Sequence, residues 1–193
     1  MAPLEQLRFL LHITHSSGIA RRYFVTNGFD GALTMLVLMM GFRISGGVAP
    51  SVMIAACMGA AIALGMSGLS SAYISEAAER RRELRELEEA MLVDLNTSAH
   101  ARAARLVPML IALVNGMAPF LISLLIMAPL WLEYFGILVK PSPIDTAIIV
   151  AFLLIFLIGV FLARVSGGFW LWTGLRTVAI ATVTSLLILL VGV

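Results

Sequence analysis

The 193-residue chain is poor in charge, in cysteine and in histidine. Charged residues make up 12% of it, whereas a soluble domain carries about 25%. This shortage excludes an ordinary water-soluble domain and indicates a protein of the lipid bilayer. The single cysteine, Cys57, excludes an intrachain disulfide, and its apolar neighbours favour a small buried side chain over a ligand. No nucleophile–base pair and no dense His/Cys cluster stands out, so we expect neither an enzyme nor a resident cofactor, and no nucleic-acid partner.

The chain is instead rich in long apolar runs. A helix crosses a bilayer with about 20 mostly apolar residues, and five segments meet this requirement. We therefore predict an all-α membrane protein with five transmembrane helices. The predicted spans are Phe24–Phe42, Ala49–Ser75, Leu106–Leu132, Ile144–Ala163 and Phe169–Val191.

Two further segments complete the predicted organisation. Residues 1–22 are amphipathic and predict an N-terminal interfacial helix on the membrane surface rather than a cleavable signal. Residues 76–105 form the long polar region and predict a helical extension outside the bilayer. The membrane-spanning parts are then residues 23–75, with helices 1 and 2, and residues 106–193, with helices 3 to 5.

The basic residues predict the orientation. Of the thirteen, eleven precede the first span, lie between the second and third, or lie near the turn between the fourth and fifth. Five spans place these eleven on one side of the membrane and leave Arg43 and Lys140 on the other. Because cytoplasmic segments carry an excess of Lys and Arg, we predict a cytosolic N-terminus, a cytosolic 76–105 extension and an outside C-terminus. In a prokaryote the membrane would be the plasma membrane.

An ionisable residue, Asp30, lies inside the first predicted span. A carboxylate at that depth costs about 2.5–3.5 kcal/mol on insertion scales, so it indicates a function. Helical spacing places Asn27, Asp30 and Thr34 on one side of the span, a polar stripe that must face protein or a water-filled path. The alternative is structural: Asp30 could cap a broken helix beside Gly28 and Gly31.

The second and third spans offer further candidates. Met66 and Ser70 share a face of span two near its cytosolic end and could continue a path. The small residues earlier in this span favour close helix packing or dimerisation. In span three, Asn115-Gly116 lies among prolines, which either free backbone carbonyls for a cation or kink the helix for packing.

The polar extension carries a row of carboxylates. At 100° per residue, four of its glutamates fall within an arc of roughly 80°, with a fifth somewhat further round, and a histidine follows. Such a row offers oxygen ligands to a divalent cation. Interleaved arginines support the alternative of a solvated, salt-bridged helix. The candidate metal ligands are Glu76, Glu79, Glu83, Glu86, Glu89 and His100.

Several short motifs, in their order and spacing, resemble the vacuolar iron transporter family. They are Asp30-Gly31 in span one, Ala72-Tyr-Ile-Ser-Glu76 at the end of span two, Ala-Pro-Phe-Leu at 118–121, and the glycines and arginines of 159–176. The resemblance extends from about residue 21 to residue 192. The sequence departs from the family where Ala72 replaces a common glutamate, and in its short polar extension.

The resemblance implies a dimer of five-helix subunits with a path at or near the subunit interface. It implies that cytosolic glutamates, here Glu76, Glu79, Glu83 and Glu86, collect ferrous iron. It also implies that Asp30 is the pathway aspartate, where metal is exchanged against protons. The expected function is therefore proton-coupled export of Fe²⁺ or Mn²⁺ from the cytosol. The alternative is a non-transporting membrane protein whose acidic helix docks a soluble partner.

Overall fold

The computed structural model describes residues 16–191. Five α-helices and the short connections between them make up this range. No strand occurs between residues 16 and 191, and all five helices are long and apolar enough to cross a membrane. The predicted all-α class is confirmed, and the chain is an integral membrane protein by this criterion. The helices are α1 (Ser16–Ser45), α2 (Pro50–Met91), α3 (Ala99–Tyr134), α4 (Pro143–Ser166) and α5 (Trp170–Val191).

Helix α2 is much longer than a bilayer is thick. Its 42 residues extend about 63 Å at 1.5 Å per residue, whereas the hydrocarbon core measures about 30 Å. The predicted second span and the first part of the polar extension are therefore one continuous helix. We call residues 76–91, the charged end of α2, the stalk. The rest of the extension is a short connection and the first turns of α3.

The described part of α1, Ser16–Ser45, extends further toward the N-terminus than the predicted first span. Residues 16–22, which the sequence predicts as the end of an interfacial helix, are part of α1. The remainder of that predicted interfacial helix lies outside the described residues.

The connections contain ordinary helix-ending devices. The side chain of Ser142 accepts a hydrogen bond from the backbone N–H of Asp145 and caps α4, which Pro143 opens. Gly167 ends α4 with φ of 73°, a backbone conformation that glycine adopts without steric cost. At the far end of the stalk, Leu92 takes a positive φ and Ser98 caps α3 by accepting from the N–H of Ala101.

The described chain divides into two compact units. The first contains residues 16–24 and Gly65–Met117. Its α2 and α3 approach closely, since a Cβ on Gly116 would lie 2.6 Å from the carbonyl oxygen of Gly65. The buried Asn115 amide donates to the carbonyl of Gly68 at 2.7 Å. Helix α3 runs unbroken through Asn115-Gly116, so this motif packs two helices here.

The second unit contains Val25–Leu64 and residues 118–191. Its core is rich in fully buried methionine, isoleucine and leucine, and Cys57 is buried there as predicted. Helices α1 and α3 touch backbone to backbone, because a Cβ on Gly31 would lie 2.7 Å from the Cα of Pro119. Helices α4 and α5 cross where Gly159 faces Thr177.

Candidate functional site

Asp30 lies near the middle of α1, and its side chain is exposed. Arg43, near the end of the helix, is thirteen residues further on, which is about 20 Å along the helix axis. Within the second unit it lines an open groove of about 280 Å³, whose other walls are mostly apolar. No other ionisable side chain lines this groove in the described chain. The lining residues are Val25, Thr26, Phe29, Asp30, Ile158, Leu162, Thr177 and Ile180.

The neighbours of Asp30 in the predicted polar stripe are less exposed. Asn27 and Thr34 are half-buried, and the Thr34 hydroxyl donates to the backbone carbonyl of Asp30 at 2.8 Å. The Thr34 hydroxyl therefore donates its hydrogen bond within its own helix. Because α1 is continuous from Ser16 to Ser45, the alternative in which Asp30 caps a broken helix is wrong.

The two path candidates from span two belong to the first unit. Met66 and Ser70 are both exposed on α2. Asp30 belongs to the second unit. A path from Asp30 to Met66 and Ser70 therefore stays a prediction.

Glu76, at the start of the stalk, is buried and already has a cation beside it. Its carboxylate lies 3.7 Å from the guanidinium of Arg80, one helical turn later, with side-chain exposures of 10% and 7%. It also accepts a hydrogen bond of 3.4 Å from the hydroxyl of Tyr23 on α1. A buried carboxylate needs such partners, because an unpaired charge away from water is costly.

Arg80 joins two of the predicted metal ligands. Its second guanidinium nitrogen donates to Glu83 at 2.6 Å, a charge-assisted hydrogen bond. Glu83 and His100 line the same small cavity of about 160 Å³, together with Arg80. The structure thus brings Glu76, Glu83 and His100 into the surroundings of one arginine.

The other predicted ligands lie on the outside of the stalk. Glu86 accepts from exposed Arg82 at 2.8 Å, and this bond together with the charges of Glu86 and Glu79 raises the pKa of Arg82. Glu79 and Glu89 are exposed. Between residues 16 and 191, no three Asp, Glu, His or Cys side chains are placed to hold a metal ion together.

Sequence reasoning missed the roles of Arg80 and Tyr23. The spacing of Arg80, four residues after Glu76 and three before Glu83, already predicted helical ion pairs. What the spacing could not show is that this arginine, unlike Arg82, is buried. Tyr23 is 53 residues from Glu76 in the chain, and no local pattern links the two.

Comparisons with known proteins identify a relative of this chain. No family model matches the chain, and no solved structure matches it. The chain is 30% identical over 169 residues to the uncharacterized protein MJ0645 of Methanocaldococcus jannaschii. The alignment covers 86% of this chain and 85% of that protein. The chain therefore belongs to the same family as MJ0645 of Methanocaldococcus jannaschii.

Proposed function

We propose that this protein is a proton-coupled transporter that moves a divalent metal, Fe²⁺ or Mn²⁺, out of the cytosol. The observation that carries the proposal is the Asp30 carboxylate. It is exposed halfway along a membrane-spanning helix, where contact with lipid would cost several kcal/mol. A carboxylate in this position needs either a covering protein surface or a path in which a proton or a cation neutralises it.

Exchange follows from the chemistry of that carboxylate. Surroundings of low dielectric, such as lipid or a covering subunit, disfavour the charged form of a carboxylate, and either a bound proton or a bound metal ion removes the penalty. The two are mutually exclusive at one carboxylate. Metal arriving from the cytosol displaces the proton, and a proton from outside later displaces the metal. The resemblance to the vacuolar iron transporter family supports the same assignment.

A second copy of the chain is the covering surface that we propose. The exposed side of α2 in the apolar segment includes Ala55, Ala56, Gly59 and Ala63, small residues that permit close approach of helices. Met66 and Ser70 are exposed further along the same helix. A homodimer would cover these residues and place the path at or near its interface.

We propose that the stalk collects metal chiefly through its outer carboxylates. Glu79, Glu86 and Glu89 are exposed, so a hydrated cation reaches them without disturbing the fold. The Arg82–Glu86 pair is exposed to solvent, and such pairs hold weakly. Glu76 and Glu83 bind metal only if it displaces Arg80.

The transport test uses Asp30→Asn, which keeps the size of the side chain and removes the titratable group. Protein is inserted in vesicles in known orientation, and Mn²⁺ movement is measured under an imposed pH gradient. We expect the variant to fold and to lose proton-driven flux, and Asp30→Glu to retain part of it. Thr182→Val is the matched control, because it alters another exposed membrane residue whose hydroxyl bonds only its own helix. Wild-type flux in Asp30→Asn would refute the mechanism.

The collection test changes Glu79, Glu86 and Glu89 to glutamine together. Neutral amides preserve the helix and remove the attraction, so Mn²⁺ binding measured by calorimetry should weaken at least about fivefold. The control is Glu133→Gln, because Glu133 is an exposed glutamate of α3 that lies outside the stalk. Unchanged binding in the triple variant would leave the stalk as a solvated helix only.

The alternative is a non-transporting membrane protein whose stalk docks a soluble partner. The observation in its favour is that the exposed residues Glu83 and Glu86 already have arginine partners, as expected of a solvated helix surface. The flux assay separates the two, since a docking protein gives no metal movement that depends on Asp30.

A further inference from the structure

The first unit contains a cavity that the transport proposal does not use. It measures about 390 Å³ and lies between the stalk end of α2 and the first turns of α3. Tyr73, Ala77, Arg81 and Leu84 form one wall at helical spacing, and a second wall comes from α3. The lining residues are Tyr73, Ala77, Arg81, Leu84, Asn96, Ala101, Ala104, Arg105 and Pro108.

Two arginines line this cavity without any acidic residue. Arg81 comes from α2 and Arg105 from α3, while none of the stalk glutamates lines the cavity. In the described chain, neither arginine forms an ion pair, in contrast to Arg80 and Arg82. Two like charges facing one space repel each other unless an anion lies between them.

The sequence gives a reason why Arg81 differs from its neighbours. In a helix, residues three or four apart are neighbours. Arg80, Arg82 and Arg85 each have a glutamate at one of these spacings, whereas Arg81 has none. Arg105 likewise has no acidic residue three or four positions away. Both arginines are therefore available to a ligand.

The remaining lining residues suit a phosphate group. Three of them are small, Ala77, Ala101 and Ala104, and two others, Tyr73 and Asn96, are residue types that carry neutral hydrogen-bond donors. Guanidinium groups bind phosphate oxygens through paired N–H donors. We infer that this cavity binds a phosphate group carried by an anionic ligand.

The position of the cavity indicates which phosphates can reach it. Tyr73 lies at the end of the apolar part of α2, and Arg81 lies in the charged stalk. Basic pockets at such a boundary are where anionic lipid headgroups bind. A free phosphate anion has the same chemistry, and the experiment separates these two sources.

The test measures thermal stabilisation of the detergent-purified protein. One arm adds a short-chain phosphatidylglycerol, with phosphatidylcholine as the comparison, and the other adds inorganic phosphate. We expect stabilisation of the wild type, with apparent affinity about tenfold or more weaker in Arg81→Gln and in Arg105→Gln. Stabilisation by phosphatidylglycerol but not by phosphate identifies a lipid headgroup, and equal effects identify a free anion.

Three further variants test whether the cavity itself binds the ligand. Arg85→Gln and Arg102→Gln change the net charge equally without touching the cavity, so their affinity should match the wild type. Ala77→Leu keeps every charge but fills the cavity, and it should weaken binding as the cavity arginine variants do. Equal losses in all four arginine variants, unchanged binding in Ala77→Leu, or no stabilisation of the wild type would each overturn the inference.

Discussion

The buried Glu76–Arg80 pair allows a sharp comparison with an exposed pair on the same helix. Glu76→Gln removes the charge that faces Arg80, in a place where the two side chains are only 10% and 7% exposed. Breaking a buried ion pair costs about 3–5 kcal/mol. Arg80 keeps its 2.6 Å bond to half-exposed Glu83, so we expect a loss of stability somewhat below this range, about 2–3 kcal/mol.

The matched control is Glu86→Gln. Its partner Arg82 is also an arginine four residues away, but the two side chains are 70% and 60% exposed. Exposed pairs contribute little to stability. The assay is thermal unfolding of the purified protein in detergent. For a chain of this length we expect a fall in Tm of about 4–12 °C for Glu76→Gln, and no clear change for Glu86→Gln.

A double variant tests the reason for the difference. Arg80→Met alone leaves Glu76 buried without its cation and should be at least as harmful as Glu76→Gln. Combining the two replaces the pair by neutral side chains and should recover most of the stability. Equal Tm values for Glu76→Gln and Glu86→Gln, or strictly additive losses in the double variant, would refute the burial argument.

Two further predictions concern packing and topology. Gly31→Ala should lower the free energy of unfolding by about 1–3 kcal/mol, because its Cβ would lie 2.7 Å from the backbone of Pro119. The control is Gly41→Ala in the same helix, whose Cβ would meet nothing within 4 Å and which should not destabilise the protein. Equal thermal stability of the two variants would contradict this. In a protein with Cys57 replaced, Leu92→Cys should be labelled from the cytosol and Leu138→Cys only from outside, since both are about 90% exposed at opposite predicted sides. Labelling of both from one face would exclude the proposed orientation.

The helices were predictable because hydropathy is a local property. Each predicted span corresponds to one observed helix, and only Ala49 and Phe169 lie outside, one residue before α2 and α5. An apolar run of that length satisfies its backbone in lipid only as a helix. The continuity of α2 into the stalk was less evident. The change from alanines to alternating Glu and Arg after Ser75 suggested a boundary, yet both compositions favour the same helix.

The arrangement of charges in the candidate site was predictable only in part. The periodicity of the stalk placed Glu76, Glu79, Glu83 and Glu86 on one face. It could not show that Glu76 is covered while Glu86 is exposed. Burial depends on packing between segments distant in the chain, as the contact from Tyr23 to Glu76 demonstrates. The same limitation applies to Arg81 and Arg105, which no pattern in the sequence pairs.

Asp30 and Glu76 differ in a way that bears on where exchange can occur. Glu76 has a fixed cation, Arg80, whose charge is always present and whose attachment to the same helix keeps it close. A metal ion or proton arriving there competes with a partner that cannot leave. Between residues 16 and 191, no basic residue lines the groove of Asp30. A carboxylate without a fixed cation in its groove is open to a mobile one, and a site that alternates between a proton and a metal ion requires this. If the protein transports metal, the exchange step therefore belongs to Asp30, and Glu76 belongs to the framework that holds the stalk in place.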